Sequence, residues 1–206
     1  RHGRGLGRGN RRLDRPLQPV TTLAVCEIFR SLQGEAATAG LPTVFVRLAG
    51  CNLRCRYCDT AYAWEGGETL EVETVLAKVR DLGEPKRVCL TGGEPLAQRE
   101  GTVLLAAALL DAGYEVSMET NGSYPVEGLP AGLVAVIDIK TPASGMSGVM
   151  NFENMRLARR HHDIFKFVIA AETDIAWALD LVRTNRLARR YRVLFSPASG
   201  EVTAAQ

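Results

Sequence analysis

Three of the chain's five cysteines fall within eight consecutive positions, in the stretch Gly50-Cys51-Asn52-Leu53-Arg54-Cys55-Arg56-Tyr57-Cys58-Asp59-Thr60. Thiolates separated by three and then two residues can be turned by one loop onto a single soft metal centre. A structural zinc site asks for four protein donors. The other cysteines, Cys26 and Cys89, each lie inside an apolar run of strand character, and no second cysteine pair completes a zinc ribbon. A cubane [4Fe-4S] cluster held by three cysteines leaves one iron open to an outside ligand, and that open iron is a place for chemistry. The triplet alone leaves a zinc knuckle, or chance, as the alternative.

With 206 residues, 46% of them hydrophobic, the chain is long enough for one domain with a sizeable core. A net charge of +2 singles out no nucleic-acid partner. No run approaches the roughly 20 apolar residues of a membrane span, and no secretory signal is visible. Clustered thiols outside a disulfide framework suit a reducing cytoplasm, so a cytoplasmic protein without a membrane or nucleic-acid partner is expected. Residues 1–20 are mostly glycine, arginine and proline, with six arginines, from Arg1 to Arg15, against the single acid Asp14. Such a stretch cannot bury apolar surface and is expected to be a disordered tail before one domain spanning 21–206. An RNA-binding tail is the alternative, but no aromatic or fixed unit repeats in it.

The rest reads as strands alternating with helices. Leu23–Ser31 leans to β structure, and Thr43–Leu48 is an apolar run that delivers the chain into the cysteine loop. Arg47 inside that run needs an anion or the surface for its head. The turn Leu32-Gln33-Gly34-Glu35 carries an amide and a carboxylate that can read a ring edge bearing both donors and acceptors. Thr69–Leu82 has helical periodicity, with Glu71 and Glu73 in its first turn and Gly83 after its end. Arg87–Thr91 is a strand that closes in Gly92-Gly93-Glu94-Pro95, where two glycines let a ligand approach the backbone. Further strands are expected at Tyr114–Met118, Leu133–Ile139, Phe165–Ala170 and Tyr191–Phe195, and helices at Val103–Leu110, Asn151–Arg160 and Asp174–Arg183. Asn154 and the arginines of the second helix are expected to face solvent, and His161 and His162 to sit exposed at its end. Alternation of this kind implies parallel pairing through right-handed crossovers. Some six units are too few for a closed eight-stranded barrel, so the expected fold is α/β, an open partial (β/α)6-type barrel whose site lies at the carboxyl ends of the strands.

Cys51-x3-Cys55-x2-Cys58 followed by Gly92-Gly93-Glu94-Pro95 resembles the radical S-adenosylmethionine (SAM) superfamily. The order Glu27-Ile28-Phe29, Leu32-Gln33-Gly34-Glu35, Gly40-x-Pro42, Arg47-Leu48-x-Gly50-Cys51-Asn52-Leu53 and Cys58-Asp59-Thr60 resembles, within it, the 7-carboxy-7-deazaguanine synthase family. The resemblance implies a [4Fe-4S] cluster on Cys51, Cys55 and Cys58, with SAM on its open iron and Mg2+ at Thr60. It implies contacts to 6-carboxy-5,6,7,8-tetrahydropterin from Leu32, Gln33, Gly34, Glu35 and Thr91, with Arg47 taking the carboxylate. It assigns Tyr57, Cys58, Asp59, Gly93, Glu119, Asp138, Ile139 and Lys140 to SAM. The implied chemistry is a radical ring contraction with loss of ammonia, fed by a flavodoxin or ferredoxin and carried out by a homodimer. Family chains continue through another helix and a strand with a Gln-x-His-Lys segment, absent after Ser196-Pro197 here, so a less enclosed pterin pocket is expected. Two rivals stand beside this reading. A glycyl-radical activating enzyme shares the cysteine spacing but acts on a protein and consumes SAM. A metal-binding remnant without catalysis is the other.

Overall fold

The structure, a computed structural model, describes residues 21–202. One eight-stranded sheet runs through it, in the order β3-β1-β2-β4-β5-β6-β7-β8. The strands are β1 (Thr22–Leu32), β2 (Pro42–Leu48), β3 (Glu68–Glu71), β4 (Arg87–Gly92), β5 (Glu115–Thr120), β6 (Val134–Asp138), β7 (Ile164–Ile169) and β8 (Arg192–Pro197). From β2 to β8 every neighbouring pair is parallel, giving the six parallel strands of an open (β/α)6-type barrel. The first and last strands of the order do not meet, so the barrel stays open.

Side chains alternate across each strand, and that alternation divides the sheet into two faces. On one face Val44, Val46 and Leu48 of β2, Val88 and Leu90 of β4, Met118, Ile137, Phe165 and Phe167 join a single core with Val72, Val75 and Val79 of α1 (Val72–Asp81) and Leu105 and Leu109 of α2 (Arg99–Asp111). These helical residues recur at three and four positions, the stripe a packed helix requires. Two further helices, α3 (Asn154–Leu157) and α4 (Glu172–Thr184), follow β6 and β7. Asp174 fixes the start of α4 by accepting from the amides of Ala170 (3.0 Å) and Ala171 (3.2 Å). The opposite face is the concave interior and carries the charged residues. Among the described residues no helix is long and apolar enough to cross a membrane.

Several expectations change. β1 pairs antiparallel with β2 and with β3, so the sheet is not parallel throughout. Residues 68–71 form the short strand β3 before α1 starts at Val72, because pairing with Thr22–Val25 of β1 claims that segment first. The helix expected over Asn151–Arg160 shrinks to one turn. Asn154 is fully buried rather than solvent-facing: its amide donates to the carbonyls of Gly122 (3.1 Å) and Tyr124 (2.8 Å) and its oxygen accepts from the Val126 amide (3.1 Å). His161 is exposed, but it lies in the loop before β7 rather than at a helix end, and His162 is half-buried with its Nε2 2.9 Å from the Leu133 carbonyl. No helix lies between β5 and β6; a loop with polar turns joins them. The tail expected over residues 1–20 lies outside the described residues.

Candidate active site

The cysteine loop follows β2 directly and is clamped from two sides. The amides of Gly50 and Cys51 donate to the carbonyls of Ala63 (2.9 Å) and Trp64 (3.2 Å), and the amides of Gly93 and Glu94 donate to Leu48 (3.0 Å) and Gly50 (2.7 Å). The glycine pair thus lets two backbones pack closely. A Cβ on Gly92 would stand 2.1 Å from the Leu48 carbonyl oxygen, and one on Gly93 2.2 Å from that of Gly50. Gly92 also holds a φ of +137°, which side-chain-bearing residues avoid. Gly93→Ala should therefore force the loop off the end of β4 and destabilise by about 3 kcal/mol, seen as a lower denaturant midpoint at unchanged slope.

Glu94, fully buried, ties the same region together. Its carboxylate accepts from the Leu96 amide (2.8 Å), the Thr120 hydroxyl (2.8 Å) and the Asn121 amide (2.6 Å). Burial pushes its carboxyl up, while the donors from Asn121, Leu96 and Thr120 oppose that shift. Asn121 then turns its side-chain amide to Cys51 Sγ (3.7 Å) and Asn52 Oδ1 (3.0 Å).

All three loop thiols are free and half-buried. In a cubane each thiolate takes a different corner iron, so three spaced thiols on one loop fit the cluster. Cys51 receives two N–H groups, from Leu53 (3.4 Å) and Asn121, as a ligating thiolate would. Burial raises the Cys55 thiol, with Lys140 pulling the other way.

Beside the loop, the interior face presents a row of polar side chains near the carboxyl ends of the parallel strands. Arg47 pairs in register with Thr91, and Asp138 with Lys166. Thr91 donates to Glu119 Oε2 (3.0 Å), and Gln33 Nε2 donates to the other oxygen (3.3 Å). Arg47 Nε donates to Glu27 (2.7 Å), with its guanidinium against the rings of Phe29 and Tyr62. The Tyr62 hydroxyl, with Arg47, holds the Glu27 carboxyl below its ordinary value despite burial. Lys140 donates to Asp138 Oδ2 (2.8 Å), Lys166 lies 3.6 Å from the same oxygen, and Lys166 also pairs with Glu35. Asp138 Oδ1 is buried with no partner among the described residues, which a donor group on a ligand would satisfy.

The expected residues are brought together unevenly. Gln33, Glu35, Arg47, Thr91, Glu119, Asp138 and Lys140 meet on the interior face. Leu32 is 62% exposed and Gly34 lies at the surface, so these two residues of the turn stay outside the cup. Ile139 is fully buried in the apolar core and offers only backbone, its amide donating to the Lys166 carbonyl (2.8 Å). Glu119, assigned by resemblance to SAM, is held by Gln33 and Thr91, two of the residues assigned to the pterin. Tyr57 directs its hydroxyl at the Val168 carbonyl (3.5 Å), and burial pushes its phenol pKa up, favouring the neutral form. Asp59 is exposed and accepts from the Thr60 hydroxyl (2.8 Å). Sequence reasoning passed over Lys166, although a lysine inside Ile164-Phe165-Lys166-Phe167 gives the same signal as the arginine in β2.

The Leu32–Glu35 turn also departs from the expected layout. It follows the carboxyl end of β1, but β1 is antiparallel and Leu32 pairs with Pro42, the first residue of β2. The turn therefore starts at the amino end of the parallel strands and folds across the interior to reach Glu119 and Lys166. Below it lies a cavity of about 390 Å³ lined by Gln33, Ala36, Ser117, Val134 and Val136 among others.

Comparison with known proteins agrees with this geometry. A family model of the Radical SAM superfamily matches residues 45–134, from the middle of β2 to the start of β6. A 7-carboxy-7-deazaguanine synthase of Koribacter versatilis (strain Ellin345) is 40% identical over 177 residues, covering 85% of this chain and 78% of that protein. This chain belongs to the 7-carboxy-7-deazaguanine synthase family. Another member, from Methanospirillum hungatei JF-1, is 39% identical over 187 residues, covering 90% of this chain and 76% of its own length. The crystal structure of QueE from Escherichia coli superposes with a TM-score of 0.70 at 25% identity, covering 86% of this chain and 85% of that one. The 7-carboxy-7-deazaguanine synthase fold thus accounts for the open parallel sheet and for the loop that leaves β2 bearing three thiols.

Proposed function

We propose that this chain is a radical SAM lyase that contracts the ring of 6-carboxy-5,6,7,8-tetrahydropterin to 7-carboxy-7-deazaguanine with loss of ammonia, on the route to 7-deazapurines. The observation that carries the reading is the junction of two arrays: the free-thiol loop at the end of β2 and the interior row of Arg47, Thr91, Glu119, Asp138 and Lys166 beside it. Cys51, Cys55 and Cys58 would hold a [4Fe-4S] cluster, which with SAM supplies the radical that starts the rearrangement. A small low-potential protein of the flavodoxin or ferredoxin type is the fitting electron donor.

The chain's own task is positioning and exclusion of water. Asp138, with an unpartnered buried oxygen, and Lys140 are suited to the polar groups of SAM. Glu119 offers two carboxylate oxygens to adjacent ring N–H donors, with Gln33 and Thr91 holding it in plane. Arg47 retains guanidinium donors beyond the one given to Glu27 and is suited to the substrate carboxylate. Thr60 and Asp59 set two hard oxygens 2.8 Å apart, a fitting start for Mg2+.

The test is anaerobic reconstitution followed by incubation with SAM, a low-potential reductant, Mg2+ and the carboxylated tetrahydropterin, with product mass as readout. Turnover with SAM regenerated is expected. Net consumption of SAM to 5'-deoxyadenosine without a pterin product would favour a protein-activating enzyme, and retention of zinc in place of iron a binding scaffold. Arg47→Ala removes a charge-assisted hydrogen bond worth about 1.5–3 kcal/mol. It should raise the pterin KM about tenfold to a hundredfold while SAM cleavage stays measurable; an unchanged KM removes Arg47 from the substrate site. Thr60→Val should shift the Mg2+ dependence of turnover to higher concentration and leave iron content alone.

A further inference from the structure

Among the described residues, Lys166 is the one charged residue of the interior that pairs both with the Leu32–Glu35 turn and with Asp138. Its side chain is 9% exposed and stands on β7 in register with Asp138. On one side it pairs with Glu35, 131 positions earlier in the chain; on the other it lies 3.6 Å from the Asp138 oxygen that Lys140 also holds. The turn carrying Glu35 begins at the amino end of the parallel strands and must be held across the interior to reach the site. Among the described residues two side-chain ties hold it there, Gln33 to Glu119 and Glu35 to Lys166. A buried ammonium keeps its charge only while its carboxylate partners stay close, so the position of the turn and the state of Asp138 are not independent.

We propose that Lys166 is a positioning residue that fastens the Gln33–Glu35 turn over the barrel and couples it to Asp138, so that occupation of the SAM side tightens pterin binding. This rests on the assignment of the two ligand sides given above. A donor group on SAM that engages Asp138 draws the carboxylate's charge toward itself and Lys140, and Lys166 turns more fully to Glu35. The turn is then held in the conformation that binds pterin. By linkage the effect is reciprocal: pterin must tighten SAM by the same factor.

Lys166→Met is the informative variant. Methionine matches the unbranched stem, and Asp138 keeps Lys140 at 2.8 Å, so no buried carboxylate is stranded. In the reconstituted wild type, the pterin Kd measured with and without SAM should differ by a factor within the usual range of about 5 to 150. In K166M the factor should fall to about one, with the pterin Kd in SAM weakened about tenfold or more; K166R, which keeps the cation, should retain most of the coupling. Amide exchange in the protein before reconstitution gives a second readout. The amides of Gln33 and Gly40, bonded to Leu41 (2.9 Å) and Gln33 (2.7 Å), should exchange faster in K166M and at the wild-type rate in K166R. Wild-type coupling preserved in K166M, or no coupling in the wild type, overturns the proposal. Should K166M fail to fold, Glu35→Gln cuts the same tie from its more exposed end and must reproduce the loss. A wild type that binds no pterin at all overturns the assignment of the site and the coupling with it, whereas normal binding with unchanged exchange in K166M overturns the fastening alone.

Discussion

Asp138→Ala is expected to destabilise the protein by about 3–5 kcal/mol and to abolish SAM binding. Asp138 is 8% exposed and carries two ammonium groups, Lys140 and Lys166, whose side chains are 14% and 9% exposed. Deleting the carboxylate leaves both cations in the interior, Lys140 without its partner and Lys166 with Glu35 alone. The pH dependence follows from the direction of each shift. Burial pushes the Asp138 carboxyl up, but the two lysines outweigh it and hold it below its ordinary value of 3.8. A carboxylate depressed on folding stabilises fully above its unfolded pKa and loses that contribution as pH falls through the folded one. Burial works against both ammonium groups, yet Asp138, with Cys55 at Lys140 and Glu35 at Lys166, holds them above the ordinary lysine value of 10.5. Their contribution is complete below that value and is lost as pH climbs through the folded pKa. Unfolding measured across pH should therefore show a broad wild-type plateau from above pH 4 to about pH 10, with a shallower acid limb in Asp138→Ala. A variant within 1 kcal/mol of wild type at neutral pH would mean that water, not Asp138, compensates the lysines. Asp138→Asn keeps the shape and one acceptor without the charge, and should fall between the two.

The parallel part of this sheet is legible in the sequence because its strands are short runs rich in apolar residues, most of them bounded by glycine, proline or polar turns. Pairing direction is not written there. β1 reads as strand, but nothing in Thr22–Leu32 shows that it runs against β2, and from that follows the unexpected starting point of the Leu32–Glu35 turn. β3 is masked in the sequence because Leu70 and Val72 continue the helical spacing of Val75 and Val79; a partner strand distant in sequence decides the matter. The burial of Asn154 is hidden from the sequence for a related reason. A polar residue with four hydrogen-bonding positions looks solvated until the loop that satisfies it, Gly122 to Val126, is known. The site divides along the same line. Arg47, Thr91, Glu119 and Asp138 could be found as polar residues near the ends of apolar strands. The reach of Gln33 and Glu35 across the interior, and the role of Gly92 and Gly93 in letting two backbones touch, depend on contacts between segments far apart in the chain.

Cys55→Ala is expected to eliminate the cluster and all SAM cleavage while leaving the fold nearly intact. Cys55 is half-buried, on a loop whose path is set by backbone bonds to Trp64, Ala63 and the Gly93-Glu94 turn rather than by its side chain. Losing one partly exposed sulfur should cost about 1 kcal/mol or less. Two thiols then remain for a centre that needs three protein corners to leave one iron free, and neither Cys26 nor Cys89 can take the place, being fixed in β1 and β4. The contrast with Asp138→Ala separates two kinds of dependence: there the fold and the ligand fail together, here the chemistry fails on a sound scaffold. Cys89→Ala supplies the control. Its sulfur is fully buried in β4, so that variant should lose about 1–2 kcal/mol to the cavity and keep its iron. Iron and sulfide per chain, with the thermal midpoint, distinguish the cases after anaerobic reconstitution. Wild-type iron in Cys55→Ala would show that this thiol is not a ligand, and the open-cornered centre on which the radical chemistry depends would be lost with it.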